Sequence, residues 1–142
     1  MRIVKFIKGE PYSKSKPRGN TEGTQKWSQS IVDQTRDLER VRGPCKLDVE
    51  FVLPRNRSPT NFPFANDLDN LLKRLLDALG VTVLSDADGG DSSIVELHAT
   101  KRLAEEGEET GATLLITDEP WKWALETSRR IRSTAGLTPP TS

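Results

Sequence analysis

The chain has one cysteine and one histidine among its 142 residues. A single cysteine leaves no partner for an internal disulfide, which makes a reducing compartment the natural expectation. With Cys45 and His98 each alone of its kind, a zinc cluster is excluded and a Cys–His nucleophile is disfavoured. Both read as ordinary strand residues. Apolar residues are also scarce, at 34%, with aromatics at 6%. No run approaches the roughly 18 apolar residues needed to span a bilayer. Met1 to Lys8 alternates charged with apolar residues, unlike a signal peptide. The length suits one domain with one modest core. Net charge is zero, but unevenly built: residues 1–58 hold 13 Lys/Arg against 7 Asp/Glu, and residues 59–142 hold 8 against 14. A basic half suits a polyanion and an acidic half suits metal ions, although scattered surface charge gives the same totals.

What is present is a run of well-marked elements. Arg2–Lys8 (R-I-V-K-F-I-K) reads as a strand, and Gly9–Asn20, with two prolines and two glycines, as a loop. Glu22–Val41 has helical spacing through Trp27, Ile31, Val32, Thr35 and Leu38, with Gly43-Pro44 as its stop. Cys45–Leu53 alternates as a half-buried strand, with Leu47, Val49 and Phe51 on one face and Lys46, Asp48 and Glu50 on the other. After an irregular stretch at Pro54–Ala65, the spacing predicts a helix over Asn70–Leu79. Its wide leucine stripe starts at Leu68, Asp69 is its N-cap, and Gly80 stands in the left-handed position after it. An acidic, glycine-rich loop follows, S-D-A-D-G-G-D over 85–91. Ser93–Leu103 and Thr113–Thr117 then read as strands joined in a hairpin, and Asp118–Arg132 as a helix with Pro120 in its first turn. The tail Ser133–Ser142 reads as disordered. The fold class is therefore α+β: a single domain over 1–132 with a β-α-β-α-β-β core, a mixed sheet and an extra C-terminal helix.

The densest chemistry lies in Asp67-Leu68-Asp69-Asn70-Leu71-Leu72-Lys73. Magnesium and manganese prefer oxygen ligands in octahedral arrays and keep several waters, so a few carboxylates make a site. Two aspartates at i and i+2 would point about 200° apart on a regular helix. They can share a cation only if Asp67 lies in extended chain ahead of the helix. Lys73, one turn beyond Asp69, can hold an anion drawn to that cation. The same residues also serve plain structural ends: an aspartate caps a helix, and Asp69 with Lys73 is an ordinary i,i+4 pair. A third carboxylate should come from another element that reaches the same point, such as the loop before the third strand. Asp91 is the first choice, with Asp86 and Asp88 as rivals.

The segment D-L-D-N-L-L-K-R-L-L-D-A-L-G, followed by D-S-S-I-V-E-L-H-A-T-K, resembles the RusA-type family of Holliday junction resolvases. The basic, proline-flanked loop G-E-P-Y-S-K-S-K-P-R resembles the family's loop after its first strand. The likeness covers most of residues 6–101 and leaves out the chain from Asp118 onward. It implies a homodimeric, magnesium-dependent endonuclease, with manganese as a substitute, that nicks four-way DNA junctions symmetrically in recombination and repair. Position by position, it implies Asp67, Asp69 and Asp91 as metal-binding carboxylates and Lys73 as the catalytic lysine. Where the family has two adjacent aspartates before the third strand, this chain has Gly90-Asp91 after a longer loop.

Branched DNA is held by its backbones, which calls for distributed lysine and arginine. Lys14, Lys16 and Arg18 in the first loop, Arg55 and Arg57 in the second, and Lys101 at the end of the third strand are the candidates; the alternative is solvated loop charge. Phe62 and Phe64 could wedge at a junction or simply anchor their loop. The expected setting is the cytoplasm, at the nucleoid or in a phage-infected host. Two other readings keep the same fold: a branched-DNA-binding protein without catalysis, and a flap or general structure-specific nuclease.

Overall fold

The computed structural model describes residues 1–12, 21–55, 67–87, 89–118 and 121–136, with the side chains of 21–22 and 121–127 outside that description. The elements are β1 (Arg2–Lys8), α1 (Thr21–Thr35), β2 (Cys45–Leu53), α2 (Leu68–Leu79), β3 (Ile94–Leu103), β4 (Gly111–Asp118) and α3 (Trp121–Thr134). The strands form one mixed sheet in the order β1-β4-β2-β3. The α+β class expected from the sequence is the class found. No helix among the described residues is long and apolar enough to cross a membrane.

β2 shows why the sheet takes this shape. Its odd-numbered side chains Cys45, Leu47, Val49, Phe51 and Leu53 are almost wholly buried, while Lys46, Asp48 and Glu50 on its other face are half-buried. In register, Leu47 lies beside Ile116, Val49 beside Leu114 and Phe51 beside Ala112. β1 continues the same face with Ile3 beside Ile116 and Ile7 beside Ala112. Over this apolar face lie α1, through Trp27 and Ile31, and α2, through Leu71, Leu75, Ala78 and Leu79. The result is two layers, helices on one face and a charged sheet face opposite.

The expected β3–β4 hairpin does not form. β3 pairs with β2 in parallel, β4 pairs with β2 antiparallel on the other side, and β4 also pairs with β1. Burial explains the order. β4 buries Ala112, Leu114 and Ile116 completely or nearly so and belongs in the sheet interior, whereas β3 leaves Val95 and Leu97 exposed and suits an edge. The segment 104–110 steps across the end of β2, a span of about 10 Å at ordinary strand spacing. Arg102 holds this step: its guanidinium donates to both Glu108 carboxylate oxygens at 2.6 Å and approaches Glu50 at 3.2 Å.

Helix boundaries also moved. α1 ends at Thr35 rather than Val41. The Thr35 hydroxyl donates to the Ile31 carbonyl at 2.7 Å, so the Thr82 hydroxyl, 2.8 Å away, donates to Thr35. This buried pair ties the end of α1 to the turn after α2. The chain then leaves the helix so that the Val41 N–H can reach the Val83 carbonyl at 2.8 Å. Gly80 is right-handed (φ −61°, ψ −25°), not left-handed, because the backbone keeps winding: its N–H bonds the Leu76 carbonyl and the Val81 N–H bonds that of Ala78. β4 is longer than expected at both ends, and α3 runs two residues into the expected tail. The rest of that tail, from 137, lies outside the described residues.

Gly111 opens β4 at φ +152°, and a Cβ there would fall on the Ile7 carbonyl of β1. Gly111→Ala is therefore expected to lower the unfolding free energy by about 2–4 kcal/mol, read from urea denaturation at unchanged slope. The Glu108 carboxyl is pulled down to about 2 by the Arg102 hydrogen bonds, then by the Glu105 N–H. A depressed acid stabilises above its ordinary pKa. The contribution of Glu108 should be complete above 4.5 and fade as pH falls through about 2. Glu108→Gln should flatten that part of the acid stability curve.

Candidate functional site at the start of α2

α2 begins two residues earlier than the expected start at Asn70. Its first helical residue is Leu68 and its N-cap is Asp67, in extended backbone at φ −54°, ψ 138°. The expected N-cap, Asp69, is the second residue of the helix. The shift arises because Leu68 joins the apolar face and packs against the core, while the Asp67 carbonyl accepts the Leu71 N–H at 3.0 Å to close the first turn. Asp67 thus lies outside the helix, Asp69 inside its first turn and Lys73 one turn on, all three exposed.

Neither structural use of these side chains is realised. The Asp67 carboxylate makes no capping hydrogen bond. No ion pair joins Asp69 to Lys73, although the spacing permits one. Among the described residues, two carboxylates and one ammonium are therefore held at the positive end of a helix with their bonding capacity unspent.

Asp91 is exposed in a short 3-10 turn, Gly90–Ser93, that leads directly into β3. Gly89 and Gly90 precede it at φ +76° and +58°, the left-handed backbone that lets the chain turn into the strand. Asp86 lies 4.0 Å from Arg42, and Asp88 is outside the described residues. Among the described residues, no three His, Cys, Asp or Glu side chains are grouped so as to hold a metal ion. The first turn of α2 thus joins Asp67, Asp69 and Lys73, while Asp91 is carried by a separate turn.

The donor set still fits a hard divalent cation. Magnesium is commonly bound through one or two carboxylates, with water and substrate phosphate completing the shell. Asp67 and Asp69 are oxygen donors without a partner among the described residues. Asp91 would be a third.

Of the candidate DNA contacts, Lys14, Lys16, Arg18 and Arg57 lie outside the described residues, as do Phe62 and Phe64. Arg55 is exposed at the end of β2, where its Nε donates to the Ala104 carbonyl at 2.8 Å and braces the step between β3 and β4. Lys101 stands on β3 beside Phe51 of β2. Sequence reasoning missed Arg102 and its two glutamates, since the link depends on Glu50 and Glu108 meeting across different elements. The charge alternation of β2 was the only available signal.

The family model for endodeoxyribonuclease RusA matches residues 8–112, which is 105 of the 142 residues. The chain belongs to this endodeoxyribonuclease family. The matched span runs from the end of β1 through α1, β2, α2 and β3 to the start of β4, and so includes the whole Asp67–Asp91 region. No curated protein matches the chain.

Because Asp67 caps nothing with its side chain, Asp67→Asn should change stability by no more than about 0.5 kcal/mol, against the roughly 1 kcal/mol of a working cap. Thermal unfolding of the variant tests this, independently of any activity.

Proposed function

We propose that the chain is a magnesium-dependent endonuclease that resolves four-way DNA junctions by paired nicks, acting in the cytoplasm. The observation that carries this reading is the match to the RusA family across a helix start whose two aspartates and lysine have no structural partner among the described residues. Asp67 and Asp69, with Asp91 from the turn before β3, would hold the cation. Held there, the cation would supply Lewis-acid chemistry, polarisation of a phosphoryl oxygen and acidification of water. Asp67 and Asp69 orient the site by facing solvent at a fixed helix end. Lys73, in the second turn of α2, is placed to offset the negative charge that builds on the phosphoryl oxygens; a pre-positioned charge does this without reorganisation. Arg55 and Lys101, with the basic residues Lys14, Lys16, Arg18 and Arg57, would grip the junction backbones, a salt-sensitive interaction. Two symmetric nicks require two equivalent sites, which a homodimer supplies.

The test offers a synthetic four-way junction and a linear duplex of the same sequence with magnesium or manganese. Selective cleavage of the junction is expected, with Asp69→Asn and Lys73→Ala each slower by on the order of 100-fold or more. Equal cleavage of duplex, or full activity in Asp69→Asn, would overturn the proposal. A flap or general structure-specific nuclease would instead show its preference across a panel of branched DNAs. A second reading, junction binding without cleavage, draws on the separation of Asp91 from any three-carboxylate group. It predicts salt-sensitive binding and no product with either metal.

A further inference from the structure

The helix α3 lies beyond the span shared with the family, which ends at residue 112. Among the described residues it packs extensively against no other element. Its charge also breaks with what precedes it. Residues 59–126 hold 5 Lys/Arg against 14 Asp/Glu, whereas residues 127–142 hold three arginines and no acid. Arg130 and Arg132 are exposed and Arg129 is half-buried, and none of the three joins an ion pair among the described residues. The Arg129 Nε is enclosed without an acceptor. The helix dipole accounts for Arg132, which stands in the last turn. It does not account for Arg129 and Arg130, and Arg129 with Arg132 is a like-charge pair at i,i+3 that works against the helix.

We propose that α3 is an added DNA-contact arm, on which Arg129, Arg130 and Arg132 bind backbone phosphates of a duplex arm that leaves the cleavage site. The sheet register gives the arm its place. Asp118, the last residue of β4, lies beside Cys45, and Cys45 lies beside Ile94, the first residue of β3. α3 therefore departs from the same end of the sheet at which the Asp91 turn enters β3, two strand spacings or about 10 Å away. The helical rise carries the three arginines about 12–17 Å from Trp121. Duplex DNA offers a charge every ~1.7 Å of its axis, so an arm held at Asp91 presents several phosphates over that reach. A guanidinium matches a phosphate with two parallel donors, and Arg129 turned toward one gains the acceptor its Nε lacks. A membrane surface fits less well, because Ile131 is the one large apolar side chain in the described part of the helix. Contacts of this kind read no sequence and no branch, so α3 adds grip without adding selectivity. The inference rests on the nuclease reading only for where the DNA arm lies.

Binding of the full chain to a synthetic four-way junction and to a linear duplex of the same sequence is measured without divalent metal, so that no strand is cut. Arg129→Gln, Arg130→Gln and Arg132→Gln combined should weaken both affinities by a similar factor, on the order of 10–100-fold at about 0.1 M salt. The slope of log affinity against log salt should become shallower by about 2–3. Arg129→Lys, Arg130→Lys and Arg132→Lys combined should keep most of the affinity and the slope, because phosphate neutralisation depends on charge. Circular dichroism checks that both variants fold. Unchanged affinity and slope in the neutral variant overturn the arm, and so does a lysine variant as weak as the neutral one. Arginine-dependent pelleting with vesicles of phosphatidylserine and phosphatidylcholine, without arginine-dependent DNA affinity, overturns it in favour of a lipid surface. Cleavage with magnesium on the same samples separates the two proposals. A chain that cuts the junction and binds it equally well without the arginines removes only the arm; arginine-dependent binding with no cleavage removes only the nuclease reading.

Discussion

β2 is flanked by a strand on each side and roofed by helices on one face, and the other elements take their positions from it. Its alternation is strict enough to allow only one face inward, since a slip of one residue would bury Lys46, Asp48 and Glu50 together. That constraint fixes the register of β4 and β3 at once. It also sets where α2 must run, because α2 belongs to the connection that brings the chain back parallel to β2. The helix start bearing Asp67, Asp69 and Lys73 is placed by that connection. The turn carrying Asp91 is placed separately, by the point at which β3 begins.

The charged face of the sheet follows from the same alternation. Lys46 stands 3.7 Å from Asp48 and 3.8 Å from Glu96, and Arg102 bridges Glu50 and Glu108. Solvent-screened pairs of this kind contribute little each. Their main effect is to order neighbours: Arg102 joins the second strand, the edge strand and the crossing segment at one guanidinium. The raised pKa of Arg102, caused first by Glu108 and then by Glu50, expresses the same coupling.

Local patterns were legible in the chain and pairings were not. The leucine stripe of α2 and the alternation of β2 depend on residues near one another, and both elements were found where the periodicity put them. The β3–β4 hairpin was misread because adjacency in sequence favours it. The interior place of β4 is decided by partners, β1 above all, that lie a hundred residues away. The N-cap assignment missed by two residues, since Asp67 and Asp69 are equally good caps and only the packing of Leu68 separates them. At the site, the aspartates and lysine could be named from the sequence and a family likeness. Their freedom from caps and ion pairs could not, because it depends on side-chain conformation.

The pairing of β1 with β4 joins Arg2 to Thr117 and Lys8 to Gly111. Among the described residues, β1 therefore has no strand neighbour until about a hundred further residues have been made. Until then Ile3 and Ile7 have no apolar row to lie against. Closing so long a loop is entropically costly, and such distant contacts slow folding. Synthesis of β4, rather than of the first half of the domain, is thus the event that permits the native sheet to close.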